Sequence, residues 1–171
     1  MSFVVGRVAC LTCLDNNIYL LYFESDVVHV FTADMLDEVS FITVDGLQYP
    51  TDIVACHDDH QLYVSDWLSS IWRVSAVNPS DSENWVTDDK LCGFCTLSVT
   101  SQRLLVTSHW YRRLHQYSTT DRKLLRVIKL RGSVEGPTHA VETSRGTFVF
   151  CSERPRGVSE SKLFSFITFI T

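Results

Sequence analysis

One period of 43 residues runs through this chain and leaves few folds open to it. The tetrapeptide His57-Asp58-Asp59-His60 has a counterpart one step back at Leu14-Asp15-Asn16-Asn17. One and two steps forward stand Thr100-Ser101-Gln102-Arg103 and Thr143-Ser144-Arg145-Gly146. Each is a short polar segment between two apolar runs. The runs before them are ACLTC at 9–13, DIVAC at 52–56, CTLSV at 95–99 and THAVE at 138–142. The runs after them are IYLLYF at 18–23, QLYVSD at 61–66, LLVTSH at 104–109 and TFVFCS at 147–152. All are rich in β-branched or aromatic residues and bounded by turn formers, so they read as strands. Two such strands joined by a few polar residues make a β-hairpin. Third strands are expected at 27–31, 71–75 and 113–118, and fourth strands at 38–44, 84–88 and 124–130. Four short strands per repeat, with no helical periodicity, is the pattern of a β-propeller blade.

The repeat also decides between two readings of His57-Asp58-Asp59-His60. Imidazoles and carboxylates are metal-ligand types, but none of the three counterparts keeps a ligand set. Asp and Asn favour turns because their side chains bond nearby backbone amides. The tetrapeptide reads as a hairpin turn.

The stretch YPTDIVACHDDHQLYVSDWLSSIWRVS, within residues 46–75, resembles a blade of the NHL-repeat and related TolB-like six-bladed propellers. The matching residues are Pro50, Asp52, Ile53, Leu62, Tyr63, Val64, Asp66, Ile71, Arg73 and Val74. Leu62 to Trp67 is also similar to the YWTD blade of lipoprotein-receptor ectodomains, with Val64 and Ser65 where that motif has Trp and Thr. Elsewhere the likeness thins: Asp66 becomes Ser108 or His109 in the next repeat and Ser152 in the last. The resemblance implies that Asp66 bonds backbone amides of the following loop, and that Trp72 packs between neighbouring blades.

The expected fold class is therefore all-β, with about four propeller blades at approximately 1–46, 47–89, 90–132 and 133–171 of a single domain or fragment. A six-bladed ring takes roughly six such repeats, so an incomplete propeller is expected ahead of a closed four-bladed ring. Residues 1–5, MSFVV, read as the tail of a preceding blade or as a ring-closing strand, and the last repeat shows no clear outer strand. An open arc leaves unpaired edges and uncovers Phe164, Phe166, Ile167 and Phe169, so self-association is expected.

Composition narrows the function classes. With 45% hydrophobic residues, seven Gly and four Pro in 171 residues, the chain has the makings of a packed core rather than a disordered segment. A net charge of −5 argues against a nucleic-acid binder that uses its whole surface. The charge is unevenly spread, however. Residues 1–100 hold 3 Lys/Arg against 15 Asp/Glu, and residues 101–171 hold 12 against 5. MSFVVGRVACLTC lacks the pattern of a signal peptide, and no apolar run reaches the ~20 residues of a membrane helix. A cytoplasmic address with reduced thiols is the expectation.

Three sets of candidate residues follow. Cys10/Cys13 and Cys92/Cys95 have Cys-x-x-Cys spacing, but almost eighty residues separate the pairs. Cys10 and Cys13 also lie on one expected strand, where odd spacing sends side chains to opposite faces, so buried thiols are expected rather than zinc. In the channel, Asp52 and His139 each follow a Pro-Thr pair. Peptide-amidating lyases, which are NHL-type propellers, carry metal-binding histidines there, and the resemblance implies a metal-dependent lyase or hydrolase as one alternative. No nucleophile elbow or phosphate loop is present, and no cofactor is expected.

The third set lies on the loops between second and third strands: Trp67, Trp110, Tyr111, Arg112, Arg113, Arg154 and Arg156. Trp, Tyr and Arg dominate interface hot spots. The leading expectation is a non-catalytic interaction module that binds a protein or peptide through this loop face. RNA binding by the basic half is the other alternative, since Arg and aromatic rings also engage phosphates and bases.

Overall fold

The computed structural model describes residues 6–100, 102–130, 135–153 and 166–170, and every regular element among them is a β-strand. The first sheet is β1 (Val8–Leu14), β2 (Asn17–Tyr22), β3 (Val27–Thr32) and β4 (Glu38–Thr43). The second is β5 (Pro50–Cys56), β6 (Gln61–Asp66), β7 (Leu68–Ser75) and β8 (Ser82–Cys92). The third is β9 (Cys95–Thr100), β10 (Arg103–Ser108), β11 (Arg113–Ser118) and β12 (Leu124–Lys129). Three described strands form the fourth: β13 (Glu135–Glu142), β14 (Phe148–Glu153) and β15 (Phe166–Ile170). All pairings are antiparallel between neighbours in sequence.

The first strands touch in succession, β1 to β5, β5 to β9 and β9 to β13, so the sheets stack as blades around their inner strands. This is the expected all-β arc of propeller blades. A stacked sheet buries both faces, which explains why β6 and β10 are buried at every position after the first. Three separate layers result. Tyr19, Leu21, Val28 and Ile42 of the first sheet meet Ile53, Leu62, Val64 and Val74 of the second. Tyr63, Ile71 and Trp85 meet Leu97, Leu104, Val106 and Tyr117 of the third. Leu105, Leu114 and Leu130 meet Ala140, Phe148 and Phe150 of the fourth.

Residues 57–60 form the hairpin turn between Cys56 and Gln61, which pair, and His60 has a φ of 52°. In two of the counterparts the turn is shorter than four residues. Leu14 pairs with Asn17 and Thr100 with Arg103, so two residues make each bend. The strict 43-residue register is therefore corrected by one residue at those places, and the equivalent of Asp66 is Ser108 rather than His109.

One further expectation changes. Cys13 is exposed, not buried, because β1 turns it away from the layer that takes Cys10. The last repeat has a third strand, with Phe166 paired to Ser152, Ile167 to Cys151 and Phe169 to Val149 along the backbone. Residues 1–5 and Phe164 lie outside the described residues.

Candidate functional site: an aromatic rim

In a four-stranded meander, the hairpin from second to third strand and the connector to the next sheet emerge at the same end. That end carries Trp67, Trp110, Tyr111 and Arg112, and Asp66 shows how the backbone presents the first of them. Its carboxylate is 3% exposed and accepts hydrogen bonds from Leu68 N at 2.8 Å, Ser70 N at 2.8 Å and the Trp72 indole Nε1 at 2.9 Å. Burial nevertheless pushes its pKa up, against the lowering effect of those three donors. The bonds hold β6 and β7 together across a single intervening residue, with Ser69 at a φ of 79°. That residue is Trp67, and the tight turn leaves its side chain no place in the core. Trp72 packs against the layer between first and second sheets while its indole N–H serves the clamp.

Backbone bonds set the neighbours of Trp67. Its N–H donates to Tyr49 O at 3.1 Å, and its carbonyl accepts from Gly93 N at 3.1 Å. Trp110, in the β10–β11 hairpin, lies over Gly93, where a Cβ would sit 3.1 Å from the indole. The Trp67 and Trp110 rings meet edge to face, centroids 5.5 Å apart at 88°. His109 N donates to Phe94 O at 3.2 Å, and the two rings also meet edge to face. Towards the first sheet, Phe23 and Tyr49 are 5.8 Å apart, with the Arg7 guanidinium 5.6 Å above Phe23. Trp110 is 58% exposed and Tyr111 45%.

The structure thus brings Trp67 and Trp110 into contact, and places Tyr111 and Arg112 exposed on the same hairpin as Trp110. Arg113 begins β11 and is half-buried, while Arg154 and Arg156 lie outside the described residues. Tyr49 and Phe94, both exposed, belong to this face and were not expected there. Topology was the available signal: connectors between sheets share an end with second-to-third hairpins. A depression of about 540 Å³ beside Tyr49 is bordered by Glu24 and Asp26.

The channel is a separate cleft of about 500 Å³, lined by Cys10, Asp52, Thr96 and His139 among others. Asp52 spends its carboxylate on Leu97 N at 2.7 Å and Ile53 N at 2.9 Å. Burial raises its pKa, and His139 is close enough to oppose that. Burial, with the Asp52 charge second, holds the Cys10 thiol above its ordinary range, which denies it nucleophilic character. Among the described residues no three His, Cys, Asp or Glu are placed to hold a metal ion. Four cations of the basic half are committed to ion pairs: Arg103 and Arg126 with Glu142, Arg122 with Glu83, and Lys123 with Asp121.

No family model matches the chain, and no curated protein matches it. Among solved structures it is similar to Kuenenia stuttgartiensis hydrazine synthase, at a TM-score of 0.70 and 14% identity over 99% of this chain and 47% of that one. It is also similar to a chain of a nidogen/laminin complex, at 0.67 and 12% over 89% of this chain and 59% of that one. Both are β-propeller structures, and the likeness is one of fold. The chain spans about half the length of these neighbours.

Proposed function

We propose that the chain is a non-catalytic β-propeller module that binds a protein or peptide through the aromatic rim, in the cytoplasm. The observation that carries this is the Trp67–Trp110 pair, held outside the core by the Asp66 clamp and the Gly93 turn. Large rings kept in place before a ligand arrives lose little entropy on binding, which is what a hot spot requires. One structural neighbour is a chain of the nidogen/laminin complex, which fits a protein ligand in kind. The Pro50-Thr51-Asp52 step and the Asp66 clamp support an NHL or TolB-like blade as the finer reading.

The test compares wild type with a Trp110→Ala/Arg112→Ala variant in affinity capture from lysate, followed by titration of any captured partner. Loss of a central aromatic anchor typically costs about 2 kcal/mol or more, about thirtyfold in Kd. Identical partner profiles and affinities for the two proteins would overturn the rim assignment.

A further inference from the structure

We infer that the outer face of the first sheet is a docking surface for the outer face of the fourth sheet in a second copy of this chain, joined head to tail. Equivalent positions in successive blades differ in burial in a way that points to it. Leu62 and Val64 face the preceding sheet and are fully buried against it. Their equivalents Leu104 and Val106, then Phe148 and Phe150, are at most 1% exposed for the same reason. In the first sheet those positions are Ile18 and Leu20, which are only half-buried. Beside them Leu11 is 57% exposed and Phe41 65%. Leu11, Leu20, His29 and Phe41 form one row across all four strands.

The complementary layer shows the same break at the other end. Tyr19 and Leu21, Tyr63 and Ser65, and Leu105 and Thr107 face the following sheet at 0–3% exposure. Their equivalents in the fourth sheet, Val149 and Cys151, are half-buried, and Val141 is 41% exposed. Each of the three internal layers joins one face of the first kind to one of the second. Among the described residues one face of each kind is left over, one on the first sheet and one on the fourth. A second copy therefore brings the very layer that covers such faces elsewhere in the fold. The contact is heterologous, so it either closes a ring or propagates.

The experiment uses two surface variants, Phe41→Arg and Val141→Arg, at positions exposed enough to leave each blade's own packing alone. Wild-type mass by light scattering rises with concentration above the 19.5 kDa of one chain, and maleimide labelling of exposed Cys13 slows as it does. Each variant alone is monomeric. Mixed in equal amounts they stop at a heterodimer, because Val141→Arg keeps an intact first-sheet face and Phe41→Arg an intact fourth-sheet face. A wild type that stays monomeric at every concentration overturns the inference. So does a mixture that remains monomeric, or association of Phe41→Arg alone.

Discussion

At the scale of single residues, the third sheet shows what happens when the Asp–Trp clamp is replaced. Ser108 stands where the second sheet has Asp66, and His115 where it has Trp72. Ser108 Oγ donates instead to Lys90 O at 3.1 Å. His115 is fully buried, stacks on Tyr117 at 6.5 Å, and neither ring nitrogen has a hydrogen-bond partner from the protein. Burial lowers its pKa, Arg113 and Lys90 lower it further, and Asp88 opposes them. The folded protein thus binds fewer protons here than the unfolded chain, whose histidine titrates near ~6.5. Stability from this group is complete above that value and is lost as pH falls below it, by at most about 1.4 kcal/mol per pH unit. Thermal melts between pH 7.5 and 5.5 should show a wild-type Tm falling some ~2–4 °C per such unit more than that of His115→Phe. Parallel curves for the two proteins would mean that His115 does not set the pH dependence.

At the scale of strands and turns, glycine placement governs how the rim is built. Gly93 and Gly146 both have φ in the left-handed region, 88° and 75°, so both resist a side chain on backbone grounds. They differ in what a Cβ meets: the Trp110 indole at 3.1 Å for Gly93, and nothing within 4 Å for Gly146. Gly146→Ala should cost about 1 kcal/mol. Gly93→Ala adds a displaced indole, so its Tm should be clearly lower and its tryptophan emission shifted, whereas Gly146→Ala leaves emission unchanged. Equal effects of the two in a melt and a fluorescence scan would argue against the contact. Such contacts mark the limit of what the sequence displays. Strand identity was legible because the short apolar runs of β2, β6, β10 and β14 repeat with the blades, and the Asp66 clamp because its motif is local. Register was legible only to one residue, since a two-residue bend at Asp15-Asn16 and a four-residue bend at 57–60 look alike as polar gaps. The partner of Gly93 lies seventeen positions away across a hairpin, and no local pattern announces it.

At the scale of the whole molecule, blades that touch only their neighbours should lose stability locally. Glu142, on β13, is the sharpest place to ask. Its side chain is 4% exposed and reaches into the third sheet, accepting from Gln116 Nε2 at 2.5 Å and from Arg103 and Arg126 at 3.2 Å each. Arg126 also donates to Gln116 Oε1 at 2.8 Å and lies 4.6 Å above the Phe148 ring. The carboxylate therefore ties the fourth sheet to three side chains, one from each of β10, β11 and β12. Replacing it by Ala leaves the buried Gln116 amide without its acceptor, while Arg103 and Arg126 are exposed enough for water to compensate. That balance puts the cost at about 1–3 kcal/mol, not the larger figure for a fully buried pair. The loss should fall on the fourth sheet alone. Thr96 and Ser98 still donate to Thr138 O and Ala140 O at 2.7 Å, so the sheet stays docked but opens more often. Amide exchange in β13 and β14 should speed up by roughly ten- to hundredfold in Glu142→Ala, about tenfold for each 1.4 kcal/mol. Exchange in β5 and β6, two layers away, should not change. A uniform acceleration across all four sheets would mean that the blades unfold as one unit, and that Glu142 is an ordinary part of a single cooperative core.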